Sequence, residues 1–188
     1  MTRARVVLIL HQLEQRKTTN TGRLAARCLV NSVVTGRGGE PDVASTRPWA
    51  EEGTEPVLLF PYAHARPLAA WRDSPRPITL VVPDGTWRQA NKARRRIKGL
   101  SALPCATLPA GTRSRYRLRD DTRPGGLATI EAVAVALGIL EGPEVQAALE
   151  HIFQVMVDRT LWTNGRIPSA QVTGGIPPGI RPHDPSGS

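Results

Sequence analysis

Ile78-Thr79-Leu80-Val81-Val82-Pro83-Asp84-Gly85-Thr86-Trp87 is the stretch that decides the fold class. Residues 78–82 are apolar or β-branched, uncharged and bounded by Pro77 and Pro83, as in a buried strand. From Trp87 to Ile97 the apolar spacing turns helical. Thr86 and Gln89 have the spacing of a capping box, so Thr86 is expected to cap that helix. A carboxylate, Asp84, therefore stands at the carboxyl end of a strand, where open α/β sheets bind their ligands. The helix beyond it carries Arg88, Lys92, Arg94, Arg95, Arg96 and Lys98. A candidate acid or base thus lies beside a surface suited to a polyanion.

Further strands are expected at Val6–Leu10, 56–61 and 105–108, with helices at about 23–29 and 63–71. The stretch 35–55, rich in Gly, Pro, Thr and acids, is expected to be loop. Residues 109–127 form a long Arg-rich loop, and loops of that length inside a domain usually carry function. Thr129 is expected to cap an apolar helix over 130–140, with Glu131 in its first turn, where the helix dipole favours an anion. Pro143 suits the start of a last helix reaching about Trp162. Strands alternating with helices argue for one α/β domain with a mainly parallel sheet over 1–163. From Asn164 Pro and Gly dominate, so 164–188 is expected to be a disordered or draped tail.

The chain has 188 residues and a formal net charge of +9, from 25 Lys and Arg against 16 Asp and Glu. A core of this size buries about 70% of the unfolded surface and requires neither disulfide nor metal. The positive excess is clustered. One cluster is the helix with Arg88, Lys92 and Arg95, a second holds Arg113 and Arg115, and a weaker third holds Arg16, Lys17 and Arg23. Nucleic acid is the most economical partner for such segments, and these residues are the candidate phosphate contacts. Cys28 and Cys105 are the only cysteines, neither in a Cys-x-x-Cys, so no zinc ribbon is expected, and buried free thiols are expected ahead of a mutual disulfide. His11, His64, His151 and His183 lack metal-ligand spacing. The apolar run at 6–10 is too short for a signal-peptide core, and no segment approaches the roughly 20 apolar residues of a membrane span. The chain reads as cytoplasmic.

Three further segments stand beside Asp84-Gly85-Thr86-Trp87: Asn20-Thr21-Gly22-Arg23-Leu24, Ser114-Arg115-Tyr116-Arg117-Leu118-Arg119 and Leu127-Ala128-Thr129-Ile130-Glu131-Ala132. In this order the four resemble the DTW-domain family over about residues 6–162. The resemblance implies an S-adenosylmethionine-dependent transferase that moves a 3-amino-3-carboxypropyl group to N3 of a uridine in tRNA, with rRNA as the other candidate substrate. It also implies a SPOUT-like fold with a C-terminal trefoil knot, an exception to the rule against knots. Two departures stand out. Many family members carry a Cys-rich segment ahead of the first strand, whereas this chain starts almost at that strand. Gln12 follows His11 where the family often has proline.

The resemblance also assigns roles. Asp84 would take the N3 proton, or orient the uracil and the cofactor ammonium; its alternative is to close the turn or cap the helix. Replacing it is expected to cut turnover with little effect on folding. The cofactor pocket would be built largely from backbone, in the loops Phe60-Pro61-Tyr62, Pro83-Asp84-Gly85 and Gly126-Leu127-Ala128, with Thr86 also in the pocket. Trp87 is either a pocket wall or a core aromatic. Tyr116 and Arg119 lie in the basic loop, where Arg119 would hold the cofactor carboxylate; its alternatives are a phosphate contact or a pair with Asp120 or Asp121. Thr129 offers helix-terminal donors, and Glu131 is either a pocket residue or a capping charge only. Two rival functions share these features: a methyltransferase of the same broad fold, and a non-catalytic RNA-binding module. The second has no need of Asp84, and aromatics at 4% of the chain leave it few stacking platforms.

Overall fold

Alternating β-branched and aliphatic residues, covered on both faces, produce the central sheet. The computed structural model describes residues 2–11, 19–37, 47–118 and 126–181. Within them the order is β1 (Arg5–His11), α1 (Thr21–Cys28), β2 (Ser32–Arg37), β3 (Glu55–Leu59), β4 (Arg66–Pro67), β5 (Ile78–Asp84), α2 (Trp87–Arg96), β6 (Cys105–Thr107), α3 (Thr129–Glu141) and α4 (Pro143–Thr163). Short 3-10 turns occupy Leu68–Trp71, Leu100–Ala102 and Ser169–Gln171.

The six strands form one sheet in the order β2-β1-β5-β3-β6-β4, and every adjacent pair is parallel. Parallel strands need covered faces, and the two faces bury different layers. Val6, Leu8, Leu10, Leu80 and Val82 point to the layer formed by α1, α3 and α4, which contributes Ala25, Val133, Leu137, Phe153 and Val157. Val7, Ile9, Leu58 and Val81 point to the other layer, formed by α2 and the turn behind it, with Ala90, Ala93, Ile97, Leu100 and Trp49. The helices that follow the neighbouring strands β1 and β5 therefore leave on opposite faces. That divergence opens a crevice at the carboxyl end of β5, as at the switch points of doubly wound sheets.

The expected single α/β domain with a mainly parallel sheet is what the structure shows, with three local corrections. Residues 32–37 form the edge strand β2 instead of leading into a loop at Thr35; it pairs in register with β1, Val7 opposite Val33 and Ile9 opposite Thr35. The helix expected at 63–71 is a short strand and a 3-10 turn. Pro67 has no N–H to give a helix, and it biases Arg66 toward an extended backbone. Strand β5 runs on through Pro83 to Asp84, because its pairing with β1 continues to Leu10 opposite Asp84. Where the tail is described it drapes on α4: Thr173 donates through N and Oγ1 to Asp158 at 3.3 and 2.6 Å, and Arg159 Nε donates to the Gly175 carbonyl at 3.2 Å. No helix among the described residues is long and apolar enough to cross a membrane.

Candidate active site

The site is built where β5 hands over to α2. The expected capping box is present: Gln89 N donates to Thr86 Oγ1 at 3.3 Å, and Thr86 N donates to Gln89 Oε1 at 2.7 Å. Gly85 has φ +136°, and a Cβ there would stand 2.7 Å from Gln89 Oε1. Only glycine lets the chain turn at this point without breaking the cap.

Asp84 is 6% exposed. Its Oδ2 accepts from Asn20 Nδ2 at 2.7 Å, and its Oδ1 accepts from the Thr129 hydroxyl. Asn20 also caps α1, with its Oδ1 accepting from Arg23 N at 2.7 Å. Thr129 N in turn donates to Thr21 Oγ1 at 3.2 Å. One buried carboxylate thus ties together the amino termini of α1 and α3 and the end of β5, three segments far apart in the chain. Gly22 is pressed against it: a Cβ there would lie 3.0 Å from Asp84 Cγ and 3.0 Å from Leu10 Cδ2.

Glu131 makes the second knot of bonds. Its Oε2 accepts from Ala128 N at 2.8 Å and from Ser114 Oγ at 2.7 Å, and its Oε1 accepts from Arg115 N at 2.6 Å. It closes the start of α3 and fastens the long loop to it. This corrects the expected role of Thr129 as cap. Ala128 occupies the cap position with no side-chain bond, Glu131 satisfies its N–H, and the freed Thr129 hydroxyl turns to Asp84. Tyr116 is buried; its hydroxyl donates to the Thr19 carbonyl at 3.4 Å, and its ring lies 5.5 Å from that of Phe153.

Beside these bonds lies a cleft of about 600 Å³, a size suited to a nucleoside-sized ligand. Leu59, Val82, Ala106 and Leu108 are among its apolar lining, beside Pro83, Gly85, Gly126, Leu127 and Ala128. Of the expected pocket residues, Phe60, Pro61, Pro83, Gly85, Thr86, Trp87, Tyr116, Leu127, Ala128 and Thr129 line it. Tyr62, Asp84 and Glu131 are not among the lining residues; Asp84 bonds to Thr129, and Glu131 to Ser114 and Ala128, which are. Arg119 lies outside the described residues, as do Arg16 and Lys17. Arg88 lines the cleft mouth, while Lys92 and Arg95 are exposed along α2, Arg113 and Arg115 on the long loop and Arg23 on α1. The sequence reading missed the roles of Asn20, Thr21 and Ser114. Asn20 before a helix is a cap signal that could have flagged it. It also missed the wall at Pro109–Thr112, which no local pattern announces. Among the described residues no group of three or more His, Cys, Asp or Glu could hold a metal ion.

Comparison with known proteins gives a concordant picture. The DTW domain model matches residues 1–161. The mouse protein tRNA-uridine aminocarboxypropyltransferase 2 is 34% identical over 142 residues, covering 71% of this chain and 47% of its own length. The Macaca fascicularis protein of the same name is 33% identical over 141 residues, with the same coverages. The chain spans about half the length of these relatives. Among solved structures, the SAM-dependent rRNA:acp-transferase Tsr3 from Vulcanisaeta distributa superposes with a TM-score of 0.54 at 17% identity, over 91% of this chain and 86% of that one. That likeness is one of fold. With the family model matched almost end to end, the chain belongs to the DTW domain family.

Proposed function

We propose that this protein transfers the 3-amino-3-carboxypropyl group of S-adenosylmethionine to N3 of a uridine in RNA, tRNA before rRNA, releasing methylthioadenosine. The observation that carries the reading is that three of the four signature segments line one cleft, through Gly85–Trp87, Ser114 with Tyr116, and Leu127–Thr129, while the fourth is tied to it by the Asn20 bond to Asp84, the carboxylate that Thr129 also holds. The names of the relatives support the reaction and the tRNA substrate, and the neighbour described as SAM-dependent supports the cofactor. The fold match also supports a SPOUT-like reading of the sheet, and a C-terminal trefoil knot belongs to the same proposal.

The residues present fit the cofactor. The apolar lining and the peptide groups of 83, 85 and 126–128 suit an adenosine moiety; Arg119, outside the described residues, is proposed for the cofactor carboxylate from the resemblance alone. When bound, the cofactor supplies an electrophilic methylene next to a sulfonium. The protein's task is then to take the N3 proton as N3 becomes the nucleophile. Thr129 is on the cleft wall and its hydroxyl already donates to Asp84 Oδ1. The N3 proton passes to Thr129 Oγ1 while the Thr129 proton passes to Asp84. A positioned base of this kind is typically worth about 10²–10⁴-fold in rate.

A split-label assay tests the reading. Cofactor labelled in the methyl group and cofactor labelled in the amino-acid carbons are each incubated with protein and unmodified tRNA. Transfer of the amino-acid label supports the proposal. Transfer of the methyl label makes the protein a methyltransferase. Transfer of neither, to tRNA or rRNA, leaves a binding module without chemistry.

A further inference from the structure

Of the eight aromatic residues in the chain, only two are exposed: Tyr62 at 43% and Trp87 at 42%. Both stand at the carboxyl ends of the sheet strands. Trp87 opens α2 and lines the cleft, with its ring 5.8 Å from that of Phe60 at 56°. Tyr62 follows Phe60 through a tight turn in which Tyr62 N donates to the Phe60 carbonyl at 2.8 Å. The guanidinium of Arg94 lies 3.9 Å from the centre of the Tyr62 ring, so a cation from the basic helix backs that ring. Arg88, Lys92 and Arg95 are exposed along the same helix. Two open aromatic rings beside an apolar cleft, flanked by cations, match the way proteins hold unpaired nucleotides: bases stack on rings and phosphates meet Arg and Lys.

The chemistry demands such a platform. N3 lies on the Watson–Crick edge of uracil, so a paired and stacked uridine presents neither the nucleophile nor its proton to a cleft. An enzyme acting there takes the base out of the helix or selects a base already unpaired. Resting on the transfer reaction proposed above, we infer that Trp87 is the surface on which the acceptor uracil stacks at the cleft mouth, and that Tyr62, backed by Arg94, carries an adjacent base. Phe60 sets the tilt of the Trp87 ring, and Arg88 lies at the first phosphate.

Photo-crosslinking and binding test this together. A tRNA transcript with 4-thiouridine in place of uridine is irradiated on the protein, and the adducts are mapped by mass spectrometry. The expected adduct is on the peptide ending at Arg88, at Trp87, with a second at Tyr62. Tyr62 does not line the cleft, so Tyr62→Ala is expected to weaken binding of unmodified tRNA about tenfold, with cofactor affinity by calorimetry unchanged within threefold. Trp87→Ala is expected to weaken tRNA binding at least as much at saturating cofactor, and Trp87→Phe to restore most of that loss. Adducts confined to other peptides would overturn the inference. So would a Trp87→Ala variant that loses cofactor affinity and keeps RNA affinity, which would make the ring a cofactor wall. Because these readouts require no turnover, a wild-type protein that crosslinks through Trp87 but transfers nothing would refute the reaction and keep the platform.

Discussion

The Thr129 hydroxyl donates to Asp84 Oδ1, joining the first residue of one helix to the last residue of a strand. Thr129 lines the cleft and Asp84 does not, so the carboxylate meets a ligand through the hydroxyl. If that path moves the proton, Asp84→Asn, which keeps the volume, lowers turnover about 10²–10⁴-fold. Thr129→Val falls with it, while Thr129→Ser keeps most of the activity. Single-turnover rates at saturating cofactor check this.

Asp84→Ala is also expected to cost stability, where the sequence alone leads one to expect little effect on folding. The carboxylate is buried and accepts two hydrogen bonds. Its removal leaves the Asn20 amide and the Thr129 hydroxyl without their acceptor, a cost of roughly 1–3 kcal/mol. Denaturant unfolding of the wild type, Asp84→Asn and Asp84→Ala proteins measures it.

Gly22→Ala is expected to damage the site although alanine is the better helix former by about 1 kcal/mol. The new methyl would press on Asp84 Cγ and Leu10 Cδ2, each 3.0 Å away, and bonds to Asn20 and Thr129 pin Asp84 in place. Turnover should fall more than tenfold, roughly the effect of 1.4 kcal/mol, with the circular dichroism spectrum unchanged.

Asp158 fastens both the tail and the long loop to α4. Burial raises its carboxyl, but bonds from Thr173 and Gln154 and the charge of Arg117 outweigh this and hold it below the usual carboxylate range. A carboxyl lowered by folding stabilises fully above its unfolded pKa, near 3.9, and loses that contribution as pH falls through the lower folded value. Asp158→Asn should therefore be less stable than wild type at pH 6. The difference should shrink as the pH drops below about 4, as thermal melts across that range will show.

Lys92 and Arg95 are exposed along α2 and do not line the cleft. Replacing both with Ala should weaken tRNA binding across sequences. It should also flatten the log–log salt dependence by roughly 1.4–1.8, the loss of two phosphate contacts. Titrations at several salt concentrations give the slope.

Much of this was legible because it is local. The 78–82 run, the Thr86–Gln89 box and the apolar 130–140 helix each announce themselves within a few residues. Strand β2 did not, because Val33-Val34-Thr35 is a short run beside Gly36 and becomes a strand by pairing with β1. The roles of Thr129 and Glu131 were hidden for a similar reason. Local spacing offers Thr129 as a cap, but the partner that wins its hydroxyl, Asp84, lies 45 residues away and meets it only in the folded sheet. The placement of Trp87 at the cleft rim was likewise open until α2 was set against Phe60.

The most direct test of the central claim is nucleoside mass spectrometry of an unmodified tRNA after incubation with this protein and S-adenosylmethionine. The account predicts a uridine bearing one 3-amino-3-carboxypropyl group, formed by the wild type and sharply reduced with Asp84→Asn. A methylated nucleoside instead, or equal yield from Asp84→Asn, would contradict it.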